Sequence, residues 1–239
     1  MDIKIQIVDS HRKRTAAEQA QLSDFFCEVK ELLPEDADRQ TEFCDWFQRE
    51  YAVSWFECIA FRGGQIIGYL RCLRNPESCT TWLIGDVHVR EEYKKQGVAS
   101  MLYEHAIAEV KEYEAAEYLV ASVHSENVAS IGLHNKFGFR DTEKPCDFPN
   151  FFFAEQESMY KLPLFQYYRV QNFAQAELLL KPLWEEYNKK EAGMLAPIGE
   201  VMKDALIFES IWLGNRPVGV RYQTASGEQS EFITRQEKY

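Results

Sequence analysis

A chain of 239 residues that is 46% hydrophobic and 14% aromatic has the material for a real core, which excludes a disordered polymer. Its formal net charge of -11 excludes a general nucleic-acid binder, which needs a basic footprint, and is compatible with attracting a cationic amine. No run of eighteen apolar residues occurs, and Met1-Asp2-Ile3-Lys4-Ile5 alternates like a strand and not like a leader, so the expectation is a cytoplasmic protein with no membrane partner.

In chain order, Ile3, Ile5 and Ile7 alternate with polar residues and predict a half-buried first strand. Thr15-Ala16-Ala17-Glu18 has the form of a capping box, so a helix should start near Ala16, bury Leu22, Phe25, Phe26, Val29 and Leu33, and stop at Pro34. A second helix is expected over roughly Arg39 to Tyr51, with Phe43, Trp46 and Phe47 at helical spacing. Phe56 to Phe61 and Gln65 to Cys72 flank a Gly-Gly turn and read as a hairpin. The run Trp82 to Val89 reads as a central strand, and Tyr93 to Ala99 as a turn without proline. From Ser100 a helix follows that places Leu102, Tyr103, Ala106 and Val110 on one face with Ala99. Tyr118 to Val123 is a short apolar strand, Asn127 heads a further helix closed by Gly138, and strands near Arg140 to Glu143 and Phe151 to Leu162 complete the sheet.

The junction from strand to helix at 89–100 offers unpaired backbone N–H groups and the positive end of a helix dipole, which makes it a site for an anion such as phosphate. Lys94 and Lys95 add positive charge, while Gly97 and Ala99 leave room for a pyrophosphate to touch the backbone. The spacing is neither a Walker loop nor a dinucleotide fingerprint. In the helix after Asn127, residues Asn127, Ser130, Ile131 and His134 share one face while Ala129, Leu133 and Phe137 lie on the adjoining one, so one face can meet a ligand and the other the core. Six cysteines, Cys27, Cys44, Cys58, Cys72, Cys79 and Cys146, show no C-x-x-C pair and no histidine at metal spacing; they read as reduced packing residues, and no metal site is expected.

Val87-His88-Val89 followed by Lys94-Lys95-Gln96-Gly97-Val98-Ala99 resembles motif A of the GNAT superfamily of N-acetyltransferases, with Lys94 where Arg or Gln is usual. Asn127 to Phe139 is similar to that family's motif B, closest to the branch resembling phosphinothricin acetyltransferase, because His134 stands where Tyr is common. The resemblance covers roughly residues 1–162. It implies an α/β, mixed-sheet (α+β) GNAT acyl-CoA N-acyltransferase fold, with acetyl-CoA as cofactor and direct acetyl transfer to a primary amine of a small molecule or peptide. It also implies that the backbone at Val87 and Val89 lies along the pantetheine arm, and that amides from Lys95 through Gln96, Gly97, Val98, Ala99 and Ser100 hold the pyrophosphate with Lys94. Asn127 and Ser130 would face the cofactor arm, and His134 would protonate the departing thiolate. For the base, Asp86, His88, His124 and Glu126 stay open, with Asp86 the first choice. The rival reading is a non-catalytic acyl-CoA-binding or sensing module whose C-terminal half makes protein contacts.

Residues 163–239 form a smaller α+β extension. Phe165 to Val170 reads as a strand, and Phe173, Ala176, Leu180, Trp184 and Tyr187 mark a helical face that Pro182 either kinks or splits. Phe208-Glu209-Ser210-Ile211 followed by Val218-Gly219 echoes Phe56-Glu57-Cys58-Ile59 followed by Ile67-Gly68, with a turn one residue shorter. The echo is either a partial second copy of the fold's first half or an unrelated hairpin. No cofactor motif occurs there, so the expected role is to cover a sheet edge, wall the acceptor cleft or form a homodimer contact.

Overall fold

The computed structural model describes residues 2–9, 12, 14–39, 41–42, 54–78, 80–113, 115–149, 151, 153–190 and 196–233. Most of the expected second helix, with Phe43, Trp46 and Phe47, and also Cys44 and Cys79, lie outside the described residues. The chain divides into two compact units, Met1–Leu162 and Pro163–Tyr239.

The first unit is a seven-stranded mixed sheet in the order β1-β2-β3-β4-β5-β7-β6. Its elements are β1 (Lys4–Asp9), α1 (Ala16–Val29), β2 (Trp55–Arg62), β3 (Gln65–Arg74), β4 (Thr81–Val89), α2 (Val98–Lys111), β5 (Tyr118–His124), α3 (Val128–Lys136), β6 (Arg140–Asp141) and β7 (Glu157–Pro163). The capping box forms as expected: the Thr15 hydroxyl accepts from the Glu18 amide and the Glu18 carboxylate accepts from the Thr15 amide. Leu22, Phe25 and Phe26 then pack on Val8, Ile59, Ile66 and Tyr69. The helix ends at Val29, ahead of Pro34, with Glu31 left-handed at φ 53°. Leu33 is accordingly 70% exposed, and Pro34 opens the helical stretch 34–39, since proline is well suited to a first helical turn.

Gly63 and Gly64 supply the two positive φ values, 58° and 81°, of the β2–β3 turn. A side chain at Gly68 would lie 2.8 Å from Val98 Cγ1 and 3.1 Å from Leu102 Cδ1, so α2 rests directly on the β3 backbone. Leu102, Tyr103, Ala106 and Val110 are buried by that contact, as the periodicity predicts.

The register between β3 and β4 sets the site. Tyr69 pairs with His88 but Arg71 pairs with Gly85, so β4 carries one extra residue at Asp86–Val87, and Asp86 is left-handed at φ 49°. On its other side β4 runs parallel to β5 only from Thr81↔Tyr118 to Ile84↔Ala121. Beyond Ile84 the ladder between them ends, and a cleft opens there. The last strand begins at Glu157, later than expected, because the apolar stretch before it folds as a loop that packs Phe148, Phe151 and Phe153 on Leu73, Leu83 and Val120.

The second unit is a four-stranded antiparallel sheet in the order β11-β10-β9-β8. It comprises β8 (Phe165–Arg169), α4 (Phe173–Lys190), α5 (Ile198–Asp204), β9 (Ala205–Leu213), β10 (Arg216–Thr224) and β11 (Gln229–Ile233). The helix α4 runs through Pro182 without splitting. Leu180, Trp184, Ile198 and Met202 pack on Phe208 and Val220.

The order β8-β9-β10-β11, with helices inserted after its first strand, is that of β1-β2-β3-β4. Both central hairpins turn through two residues, Gly63-Gly64 and Gly214-Asn215, and both carry an extra residue just before a glycine, Ile67 before Gly68 and Val218 before Gly219. The F-E-x-I strings are out of phase with this register. Phe56 shares a strand face with Ala60, whose Cβ borders Gly68 under α2, whereas Phe208 faces α4 and α5. The expected one-residue difference in turn length is therefore replaced by turns of equal length, since a shift of one residue along a strand swaps its faces.

Candidate active site

The cleft beyond the end of the β4–β5 ladder has a volume of about 510 Å³. Its floor includes Val87 and Val89 from β4, one wall is the turn and first residues of α2, and the other is the start of α3. Lys95 at φ 58° and Gly97 at φ 87° are both left-handed, which curls the turn so that α2 starts at Val98. The first bond inside α2 runs from the Met101 amide to the Gly97 carbonyl, so the amides of Val98, Ala99 and Ser100 have no acceptor within the helix. Together with the helix dipole they form a cradle for an anion.

Of the residues expected to hold a cofactor, Val87, Val89, Lys94, Lys95, Gly97, Val98, Ala99, Ser100, Asn127 and Ser130 all line this cleft. Gln96 does not; its side-chain amide turns back 2.5 Å onto the Glu92 carbonyl. Lys94 pairs with Glu91 on the exposed side of the turn. Asn127 caps α3, its side-chain oxygen accepting from the Ser130 amide at 3.0 Å, and lines the cleft as well. Tyr93, Tyr103, Ala129 and Leu133 also line it. Lys136 donates to the Ser100 hydroxyl at 2.8 Å, bringing a further cation to the head of α2.

His134 is brought to this region without lining the cleft; it is 3% exposed. Its Nδ1 lies 2.8 Å from the Ser130 carbonyl, which can only accept, so Nδ1 carries the proton. Nε2 then accepts from the Tyr103 hydroxyl at 2.9 Å. Burial pushes the imidazole pKa down, against the carbonyl bond that raises it, and Phe139 and Tyr160 complete its enclosure. Tyr103, whose hydroxyl burial holds well above the usual tyrosine range, is the member of the pair that meets the cleft. Tyr103 thus stands between His134 and the cleft.

Asp86 sits in the bulge, paired with Arg71 and, at 3.2 Å, with Lys30. Burial pushes its carboxyl up, but Arg71 and Lys30 together outweigh that and hold it below the usual aspartate value. It is a carboxylate committed to two cations, which makes it a weak proton acceptor. His88 points away from the cleft onto Phe26, edge to face with ring centroids 6.3 Å apart, and burial with Lys30 nearby pushes it down to about 4. His124 accepts from the Glu126 amide at 3.2 Å in the turn between β5 and α3.

A second cavity, of about 200 Å³, borders the same strand, with Gly85 and Asp86 of β4 opposite Ser122 of β5 and with Arg71, Leu83, Ile84, Phe151, Phe153 and Glu157 around it. The Ser122 hydroxyl donates to the Glu157 carboxylate at 2.8 Å. Neither cavity is lined by cysteine. Among the described residues no three His, Cys, Asp or Glu side chains cluster as a metal would need, and no helix is long and apolar enough to cross a membrane.

The sequence profile of the acetyltransferase (GNAT) family matches residues 16–139, and the chain belongs to that family. Its fold is shared with an N-acetyltransferase from Staphylococcus aureus Mu50, at TM-score 0.51 and 20% identity over 69% of this chain and 99% of that one. An acetyltransferase from Thermus thermophilus is similar, at TM-score 0.51 and 16% identity over 69% of this chain and 98% of that one. A second Staphylococcus aureus Mu50 protein, an acetyltransferase of the GNAT family, reaches TM-score 0.51 at 15% identity over 67% and 99% of the respective chains. No curated protein matches the chain in sequence.

Proposed function

We propose that the protein is an acetyl-CoA-dependent N-acetyltransferase that works in the cytoplasm and transfers acetyl directly to a primary amine while both substrates are bound. The observation that carries this reading is the cleft in which the free amides of Val98, Ala99 and Ser100 meet the stretch of β4 that has parted from β5. Acetyl-CoA supplies the acetyl group as a thioester, and the amide cradle suits its pyrophosphate. Lys94, Lys95 and Lys136 add positive charge there, while the backbone of Val87 and Val89 and the side chains of Asn127 and Ser130 flank the arm. Fixed backbone donors beside a carbonyl are a large source of rate in acyl transfer. Direct transfer is favoured because the cysteines near the sheet are buried and protonated: burial pushes Cys58 and Cys146 up to about 12.

The His at position 134 supports placement in the phosphinothricin acetyltransferase-like branch. The matched strand order, hairpin turns and bulges support reading residues 163–239 as a partial repeat of the fold's first half, one without a cofactor site and suited to a homodimer contact. Light scattering that finds only monomer at high micromolar concentration removes the dimer. A non-catalytic acyl-CoA sensor is the second reading, favoured by the engagement of Asp86 and His134 with other side chains.

Calorimetric titration with acetyl-CoA, with Gly97→Glu as control, tests the site. Glu at φ 87° is strained and its side chain fills the cradle, so binding should be lost. An amine screen that reads CoA release then separates the enzyme from the sensor, and ping-pong kinetics with a trapped acetyl-protein would overturn direct transfer.

A further inference from the structure

We propose that the cavity around Glu157 is the acceptor pocket, that it takes a small primary amine carried on an aromatic or other apolar body, and that Glu157 receives the proton the amine must lose. This rests on the acetyltransferase reading above and deepens it.

Position is the first argument. Gly85 and Asp86 line this cavity while Val87 and Val89 line the cofactor cleft, so the two meet across the β4 bulge. Ser122 directly follows Ala121, the last β5 residue laddered to β4, and so stands in the fork where the strands part. A chain laid along Val89 and Val87 toward Ile84 is directed at that fork.

Charge is the second. Of the two carboxylates in the cavity, Asp86 is held by Arg71 and Lys30. Glu157 has the Ser122 hydroxyl as its hydrogen-bond partner, and among the described residues no cation pairs with it. A half-buried carboxylate with one neutral donor keeps lone pairs for an ammonium group. Shape is the third. Phe151 and Phe153, stacked with centroids 5.9 Å apart and planes at 14°, stand with Leu83 as an apolar wall. A volume of about 200 Å³ suits a small amine and not a drug-sized one, for which sites begin at roughly 300 Å³.

In the step this implies, one ammonium proton passes to the Glu157 carboxylate and the freed nitrogen lone pair forms the new carbon–nitrogen bond to the acyl carbon. The carbon–sulfur bond breaks with its electron pair on sulfur, a second nitrogen proton goes to that sulfur, and the proton on Glu157 returns to solvent.

The test is calorimetric titration of the CoA-bound protein with 2-phenylethylamine and with its neutral isostere 2-phenylethanol, for the wild type, Glu157→Gln and Glu157→Asp. The Gln variant keeps an oxygen for the Ser122 hydroxyl, and its melting temperature and CoA affinity should be those of the wild type. The amine should bind at least about tenfold more tightly than the alcohol to the wild type, lose that preference in Glu157→Gln and regain part of it in Glu157→Asp. Equal binding of the two probes to the wild type, or a preference that survives in Glu157→Gln, overturns the role of Glu157 while CoA binding stands. Failure of the wild type to bind CoA in the preceding titration instead overturns the acetyltransferase reading.

Discussion

The Tyr103 hydroxyl donates to His134 Nε2, and the direction of that bond is set by the Ser130 carbonyl on the other ring nitrogen. The pair is buried, so each partner depends on the other for satisfaction. Tyr103→Phe should cost about 1–3 kcal/mol by leaving Nε2 without a donor, and His134→Phe a similar amount by leaving the hydroxyl without an acceptor. The double variant should cost less than the sum, because removing both partners of this bond leaves neither of its groups unsatisfied. Denaturant titrations of the four proteins check this, and additive costs would show that the bond does not form as described.

The two glycines that follow the hairpin bulges carry opposite expectations for binding. Gly68→Ala sets a methyl group 2.8 Å from Val98 Cγ1, displacing the head of α2. It should cost about 1–3 kcal/mol and weaken CoA binding, since the cradle is built on that head. Gly219→Ala puts its Cβ 2.1 Å from the Phe232 carbonyl oxygen, a clash with backbone that β11 cannot relieve without leaving β10. It should destabilise the second unit more strongly and leave CoA affinity unchanged. Melting curves with CoA titrations on both variants decide the matter.

What was legible in the sequence follows from how local each feature is. The cradle was readable because Lys94 to Ser100 builds it within one turn of chain, and ten of the eleven residues expected there line the cleft. Glu157 gave no signal, because its partner Ser122 is 35 residues away and the loop that delivers Phe151 and Phe153 looked like a strand. Tyr103 was expected on the core face of α2, and its meeting with His134, 31 residues on, depends on how two helices cross. At the β4 bulge the left-handed residue is Asp86 and not its neighbour Gly85, and the Asp86 carboxylate is held by Arg71 and Lys30, 15 and 56 residues away in the chain, so the local sequence does not show which residue turns. In the second unit the F-E-x-I strings fall out of strand phase, which identity alone does not reveal, whereas Gly68 and Gly219 each follow a bulge.

Acid should weaken the fold in a window set by its neutral histidines. His88 is held down to about 4, so between pH 6.5 and that value the unfolded chain binds a proton the folded one refuses, and stability falls as pH falls. His134, also lowered, acts in the same direction below pH 6.5. Between pH 6.5 and 5.5 His88 contributes a slope of up to about 1.4 kcal/mol per pH unit. His88→Phe, which keeps an aromatic ring against Phe26, should remove its share of the slope and leave the remainder. Stability measured by urea titration at several pH values tests this, and a slope unchanged by His88→Phe would mean that His88 protonates in the folded protein.

Asp86→Asn asks whether the carboxylate in the bulge serves proton transfer or architecture. The Asp86 pKa is lowered, so its contribution is present above the unfolded value of 3.8 and is lost as pH falls through the folded one. At pH 7 the variant leaves Arg71 and Lys30 without their carboxylate and should be destabilised by about 2–3 kcal/mol, a deficit that closes below pH 3.8. If the role is architectural, acetyl transfer in the variant should fall no more than tenfold and keep the pH profile of the wild type. A base at Asp86 would instead lose 10²-fold or more, with the limb of the profile that reports it gone. The same profile in Glu157→Gln should lose that limb, which makes the pair of variants a direct comparison between the two carboxylates of one cavity.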